Sequence, residues 1–334
     1  MSIVLRDRVT EVMYKDLAKT NRSELRMRIV AVVSAFMTIV FLSLSLHGAA
    51  VLQQPSPGRG GQREEVQGRG ERGGPPRGGG LANKVPDLPA GAFTASSTVA
   101  RTNLRHEWVD IPLGNIKVHT WIEYPNNIDK APIVVVMQHA AGLDDWMRAL
   151  ADQLALQGFI AIAPDILSGM APNNRNFDSF RFPDDAIKAM SRVKFEEAVR
   201  RYKVAWDYGI KLPQASGKGG VLGIGIGGSA VFEFAAQVPE VNAAVVFYGS
   251  APAEAVLARI KAPVLGLYGD QDLVTTPTVE TTASAMKRLG KTFEPHIYPG
   301  ATQEFMRSQA EGQNAAATAA AWPVAIAFLQ MHLK

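Results

Sequence analysis

Residues 219–230, Gly-Gly-Val-Leu-Gly-Ile-Gly-Ile-Gly-Gly-Ser-Ala, restrict the fold of this chain more than any other segment. A short apolar run leads into closely spaced glycines, and a helical pattern follows to about residue 237. This order predicts a buried strand, a sharp turn with a backbone that glycine adopts easily, and a helix. A strand that passes directly into a helix is typical of α/β proteins.

Strand and helix patterns alternate from about residue 100 to the end of the chain. The predicted strands are 116–123, 133–137, 159–163, 221–224, 243–247, 264–268 and 293–298. Predicted helices begin after Asp144, which is a suitable N-cap, and cover 195–208, 228–237, 277–289 and 314–331. The sequence therefore predicts an α/β fold, with a mostly parallel sheet and helices on both faces.

The N-terminal part of the chain contains an apolar segment. Residues 29–46 carry no charge, basic residues precede them, and small residues follow at 48–50. These features predict a signal peptide or an uncleaved membrane anchor within residues 1–52, and the short length favours the signal peptide. We therefore expect the domain to be exported, either periplasmic or secreted, or tethered to the cytoplasmic membrane through residues 29–52.

A low-complexity segment separates this leader from the domain predicted at 93–334. Residues 53–92 are rich in Gly, Arg, Pro and Gln and contain no aromatic residue. Such a composition buries too little apolar surface to order the chain and predicts a disordered linker. The Arg-Gly-Gly units do not indicate a nucleic-acid partner, because stacking aromatics are lacking and acidic residues dilute the charge.

The glycine turn is compatible with two functional motifs. Gly223, Gly225 and Gly228 have the spacing of a dinucleotide fingerprint, but this motif also needs an acidic residue at the end of the next strand. That strand ends with Phe-Tyr248-Gly-Ser, which has no acid, so no nucleotide cofactor is predicted. The chain has no cysteine, which excludes disulfides, thiolate zinc sites and a thiol nucleophile. No metal site is predicted either.

The second motif is a nucleophile elbow, in which a strained turn presents a reactive side chain between small flanking residues. Gly223 and Gly227 occupy the flanking positions, so Gly225 occupies the position of the nucleophile. Glycine tolerates a positive φ without steric cost, and its presence would relieve the strain of the turn. Ser229 lies four residues further on and is expected to be a surface or capping hydroxyl, not a substitute.

Four sequence blocks resemble one known family. They are Val-Leu-Gly-Ile-Gly-Ile-Gly-Gly with a following strand that ends Phe-Tyr-Gly249, then Gly158-Phe-Ile-Ala-Ile-Ala-Pro-Asp165, Gly269-Asp-Gln-Asp272 and Tyr298-Pro-Gly-Ala-Thr-Gln-Glu-Phe305. By these blocks and their order, most of residues 100–334 resemble the dienelactone hydrolase family of α/β-hydrolases. The resemblance implies an α/β-hydrolase fold and an ancestral activity on esters or lactones.

The resemblance also implies which residues of this chain occupy the family's catalytic positions. Asp272 matches the acid of the family's triad, Gly225 replaces the nucleophilic Cys, and Gln303 replaces the catalytic His. Ala140 falls where many members have a Glu that contacts the thiol. Gly225 cannot attack a carbonyl and the Gln303 amide does not titrate, so the covalent route lacks both nucleophile and base. The amide can instead donate a hydrogen bond to the Asp272 carboxylate.

Other parts of the implied site lie close to the turn. The oxyanion hole would use the backbone N–H of Ile226 and a second N–H near Ala140 or Ala141. His139 could polarise a bound carbonyl, although a structural role in orienting its loop is favoured. Phe305, next to the altered His position, is expected to line a pocket.

Three functions remain open from the sequence. The first is a protein without the family's covalent hydrolysis, a pseudoenzyme whose pocket binds a small carbonyl, ester or lactone compound. The second is an active hydrolase that uses Asp272 or His139 with water. The third is an interaction domain in which side chains fill the old pocket.

Overall fold

The computed structural model describes residues 88–126 and 129–334. In this part of the chain the strands form an eight-stranded sheet of order β1-β2-β4-β3-β5-β6-β7-β8. They are β1 (Arg105–Leu113), β2 (Ile116–Tyr124), β3 (Ala131–Met137), β4 (Ile160–Pro164), β5 (Ala215–Ile224), β6 (Ala243–Phe247), β7 (Val264–Gly269) and β8 (Phe293–Tyr298). Only the pairs β1–β2 and β2–β4 are antiparallel among these neighbours, which confirms the predicted mostly parallel sheet.

Helices cover the sheet. They are α1 (Ala95–Val99), α2 (Asp145–Leu156), α3 (Pro183–Met190), α4 (Phe195–Gly209), α5 (Ile226–Gln237), α6 (Glu254–Leu257), α7 (Val279–Arg288) and α8 (Asn314–Leu333). Every residue of the central strands β3 and β6 is buried. Because successive side chains of a strand point to opposite faces, both faces of the sheet are covered.

The carboxyl ends of the parallel strands bring the predicted site residues to one edge of the sheet. The register pairs Met137, the last residue of β3, with Gly223 of β5, and pairs Ile224 of β5 with Phe247 of β6. The segments that follow these strands therefore begin side by side. Ligands of open α/β sheets bind at this edge.

Helix α2 shows how the sequence sets the loop after β3. The Met147 N–H donates a 3.0 Å hydrogen bond to Oδ1 of Asp144, which confirms Asp144 as the N-cap. At the other end of α2, Gly158 has a φ of 90°, a conformation that favours glycine at a helix C-terminus. The loop 138–144 is thus fixed between a buried strand and a capped helix.

The folded domain begins earlier than the predicted boundary at residue 93. Ala90 is buried, and its carbonyl oxygen accepts a 2.8 Å hydrogen bond from Nε1 of Trp146. The Ala92 N–H donates to the carbonyl oxygen of Arg307 at 2.9 Å. Residues 88–92 thus belong to the domain and not to the linker, because their backbone groups form hydrogen bonds with it. The amino-acid composition of the segment does not indicate these bonds. The apolar segment 29–46 and the rest of the linker lie outside the described residues.

Helix α8 is long and apolar enough to cross a membrane by length and composition alone. Its residues Trp322 and Leu329 are buried, and it packs against β5, β6 and β7. These are the contacts of a helix that covers one face of the sheet.

Candidate active site

Gly225 forms the turn between β5 and α5. Its backbone has a φ of 58° and a ψ of −115°, a region that side chains other than glycine rarely adopt. The Gly225 N–H donates to the carbonyl oxygen of Phe247, and the Ser229 N–H donates to the carbonyl oxygen of Gly225, both at 3.0 Å. The predicted strand, glycine turn and helix are therefore confirmed, with a positive φ at the position of the nucleophile.

The flanking glycines allow the backbone segments to approach closely. A Cβ on Gly223 would lie 2.2 Å from the carbonyl oxygen of Gly227, and a Cβ on Gly227 would lie 2.1 Å from that of Met137. Neither position can hold a side chain without moving the backbone. Gly225 is different, because a Cβ there would meet no atom within 4 Å. The elbow thus keeps the room for a nucleophile but lacks its side chain.

A cleft of about 140 Å³ opens in front of Gly225. It is smaller than the pockets that hold drug-sized ligands and suits a small compound. The lining residues are His139, Ala140, Trp146, Ile224, Gly225, Ile226, Tyr248, Gln303, Glu304 and Arg307. The structure thus brings together the two substituted catalytic positions, Gly225 and Gln303, although they are far apart in sequence.

The oxyanion-hole positions lie on both sides of this cleft. Ile226 is the first residue of α5, and the first N–H groups of a helix have no acceptor within it. Ala140 follows β3 and lines the cleft together with Ile226, whereas Ala141 is not among the lining residues.

His139 lies in the wall of the cleft, beside the N-terminus of α2. It is 6% exposed, and its ring packs edge-on against Trp146 with 5.1 Å between ring centroids. Its Nε2 lies 3.2 Å from Oδ2 of Asp144. Burial raises the pKa of Asp144, but contacts with His139 and with the Met147 N–H outweigh this effect and hold it below its usual value. An ionised Asp144 therefore orients the imidazole.

Asp272 is buried in the turn after β7 and does not reach the cleft. Its Oδ1 accepts hydrogen bonds from the N–H groups of Val274 and Thr275, each at 2.9 Å. Its Oδ2 is buried and has no hydrogen-bond partner among the described residues. Gln303 is exposed, and the hydrogen bond that its amide could donate to the Asp272 carboxylate is not formed.

Phe305 also departs from the expectation. It is fully buried, contacts the rings of Phe247, Tyr248 and Tyr298, and does not line the cleft. The side chain faces the core, because removing the apolar surface of a large ring from water stabilises the fold.

Three hydroxyl-bearing or charged residues of the cleft were not predicted from the sequence, and they are Tyr248, Glu304 and Arg307. Tyr248 directly follows β6 at the ligand-binding edge of the sheet, a position that could have revealed it. Glu304 and Arg307 carried no comparable signal, because their place in the wall depends on tertiary packing. Nη2 of Arg307 lies 3.7 Å from Oδ2 of Asp144, and Nη1 lies 3.9 Å from Oε2 of Glu304.

Other candidate nucleophiles and bases have structural partners. The Ser229 hydroxyl accepts a 2.9 Å hydrogen bond from the Ser250 N–H, and Ser229 does not line the cleft, so it does not replace the nucleophile there. His296 lies on β8, with Nε2 2.9 Å from Oε1 of Glu294, and does not line the cleft. No group of three or more His, Asp or Glu side chains in residues 88–126 and 129–334 is arranged to hold a metal ion.

Comparisons with known proteins agree with this geometry. Residues 118–333 match the family model described as the dienelactone hydrolase family. A protein named as a carboxymethylenebutenolidase from Saccharolobus solfataricus is 28% identical over 251 residues, covering 64% of this chain and 94% of the relative. Another of that name from Salmonella typhimurium is 28% identical over 260 residues, covering 72% and 89%.

The fold agrees with that of solved structures. A structure titled as a dienelactone hydrolase from Klebsiella pneumoniae has a TM-score of 0.60 and 24% identity, and covers 69% of this chain and 99% of the other. At this identity the likeness concerns the fold alone. The family match spans well over half of the chain and includes Gly225, Asp272 and Gln303. The chain therefore belongs to the dienelactone hydrolase family.

Proposed function

We propose that this protein lacks the family's covalent ester and lactone hydrolysis and that its cleft binds a small carbonyl or ester compound. The observation that carries the proposal is Gly225. The elbow keeps its strained backbone and the space for a side chain, but no atom there can attack a carbonyl carbon.

The base of the covalent route is also missing. A catalytic imidazole would lie between the nucleophile and the triad acid and would titrate near neutral pH. Gln303 lies at the surface of the cleft, and Oδ2 of Asp272 has no hydrogen-bond partner in the described part of the chain. The Gln303 amide does not titrate, and Asp272 does not line the cleft, so no base stands where the catalytic imidazole would be.

The cleft nevertheless retains features of a binding site. It is not filled by side chains, which argues against a pure interaction domain. The N-terminus of α5 and the loop after β3 meet there, and their backbone N–H groups are suitable donors for a carbonyl oxygen. A pocket of this size and polarity favours a small compound that carries such an oxygen.

Restoring the missing groups tests the proposal. The full-length Gly225→Cys/Gln303→His double variant should hydrolyse 4-nitrophenyl acetate at least about tenfold faster than the parent, because a thiol and a base are again present. The matched control is Gly225→Ala/Gln303→His, which adds a side chain at Gly225 but no nucleophile, and should show no gain. Fast hydrolysis by the purified parent, or no gain in the double variant, would contradict the proposal.

A second candidate function is hydrolysis by an activated water. It is supported by the contact between His139 and Asp144, because a carboxylate that orients an imidazole in a cleft can make it a general base. Asp272 is a weaker candidate base, since it does not line the cleft. Steady ester or lactone turnover by pure parent protein that His139→Gln abolishes would support this function. A rate unaffected by this substitution would exclude His139 as the base.

We also propose that the domain is exported or membrane-tethered. The proposal rests on the uncharged residues 29–46, the basic residues before them and the small residues at 48–50. Cell fractionation, together with sequencing of the mature N-terminus, tests it. Recovery of the intact chain in the cytosol would refute it.

A further inference from the structure

Large apolar side chains are exposed at the edge of the sheet where the cleft opens. In the described residues eleven such side chains are exposed, and six of them follow the carboxyl ends of β4, β5 and β7. These six form what we call the apolar rim, and they are Phe182, Ile187, Phe195, Ile226, Leu273 and Val274. Exposed apolar residues are ordinary when they are scattered, but several on one face mark an interaction surface.

The apolar rim lies on one face because of the direction of the strands. Strands β4, β3, β5, β6 and β7 are mutually parallel, so the segments after β4, β5 and β7 all begin at the same edge. Met190 and Phe195, from the segment between β4 and α4, line a small apolar groove together with Ile226. Ile226 also lines the cleft. The apolar rim therefore extends from α3 to the mouth of the cleft.

Basic residues accompany the apolar rim. Between residues 181 and 195 the chain carries four basic and two acidic residues. The acidic ones lie in the first turn of α3, where the helix dipole stabilises negative charge. The basic ones are all exposed, and they are Arg181, Lys188, Arg192 and Lys194. Exposed aromatic and aliphatic side chains among Lys and Arg are typical of a surface that lies on an anionic membrane.

We propose that this edge of the domain docks on an anionic phospholipid surface. The apolar rim enters the headgroup region, and the basic residues between β4 and α4 pair with lipid phosphates. A membrane suits the apolar rim because its residues come from three separate segments, and a bilayer accepts apolar side chains without a matching shape. The proposed export or tethering brings the domain to such a surface, and the cleft then opens beside the lipid.

Site-specific fluorescence tests the docking face, because the chain has no cysteine and one introduced thiol labels one position. The full-length protein carries an environment-sensitive dye on Ile187→Cys, Leu273→Cys or Met331→Cys and is mixed with vesicles of equal parts phosphatidylcholine and phosphatidylglycerol. Met331 is the matched control, since it is 76% exposed but lies near the opposite edge, where Nζ of Lys218 in β5 contacts the carbonyl oxygen of Lys334. We expect the first two dyes to shift to shorter wavelength and to be quenched by nitroxide-labelled lipid, and the third to stay in water.

Charge variants test the role of the basic residues. Lys188→Gln/Arg192→Gln should weaken docking of the dye on Ile187→Cys by about tenfold or more, because each basic group near an anionic surface contributes a factor of about five. Lys211→Gln/Lys218→Gln removes the same charge after α4 and in β5, at the opposite edge, and should leave docking unchanged.

Several outcomes would overturn the inference. They are the absence of a shift at both positions of the apolar rim, an equal shift at Met331→Cys, and equal weakening by the two charge variants. Equal docking on vesicles of phosphatidylcholine alone would overturn the pairing of basic residues with anionic lipid. A shift that appears without vesicles and grows with protein concentration would assign the apolar rim to contacts between copies of the chain and overturn the membrane.

Discussion

Replacing Gly225 with Ala should destabilise the protein although the new methyl group meets no neighbour. Gly225 has a φ of 58° and a ψ of −115°, and a non-glycine residue in such a region costs about 1–3 kcal/mol. The substitution also lowers the conformational entropy of the unfolded chain, which stabilises the folded state by about 0.4–1 kcal/mol. A steric term is absent, because no atom lies within 4 Å of the added Cβ. The net expectation is a loss of about 1–2 kcal/mol in the free energy of unfolding.

Urea unfolding followed by tryptophan fluorescence measures this loss. Gly227→Ala is the contrasting variant, since its Cβ would lie 2.1 Å from the carbonyl oxygen of Met137. It should be far more destabilised than Gly225→Ala, or fail to fold, because backbone would have to move. A Gly225→Ala variant as stable as the parent would refute the idea that losing the nucleophile relieved strain in this turn.

Two further predictions concern titration and helix capping. Burial and the nearby charge of Asp152 raise the pKa of Glu123 to about 8 from an ordinary 4.5, so the folded protein holds a proton that the unfolded chain loses. Stability should therefore fall as pH rises through this window, by up to about 5 kcal/mol, and Glu123→Gln should lessen that fall in urea titrations from pH 4 to about 9. Asp144→Ala removes the acceptor of the Met147 N–H and should lower unfolding free energy by about 1–2 kcal/mol in the same assay.

The strand–turn–helix around Gly225 was predictable because its signals are local. The apolar run, the glycine spacing and the helical pattern all lie within residues 219–237. The cap at Asp144 and the glycine at 158 were predictable for the same reason, since each depends on a few neighbouring residues. Helices α1, α3 and α6 were not predicted. All three are short, at five, eight and four residues, and therefore carry little periodicity.

The side-chain directions within the site were not predictable from the sequence. Phe305, Gln303 and Arg307 lie in one short segment after β8, yet the first is buried in the core while the other two line the cleft. The segment is irregular, so no period of two or 3.6 residues assigns its side chains to a face. The family resemblance located Gln303 but could not show that its amide fails to reach Asp272.

The position of Asp272 bears on the proposed loss of covalent hydrolysis. Its Oδ1 accepts two backbone N–H groups and so holds the turn after β7, whether or not a catalytic His is present. The presence of a triad acid in this chain is therefore no evidence for retained catalysis, since the turn needs the same side chain. The diagnostic atom is Oδ2, which is buried without a partner in the described structure. An orphaned buried oxygen costs about 1–3 kcal/mol. Gln303 does not offset this cost, because its amide donates no hydrogen bond to Oδ2.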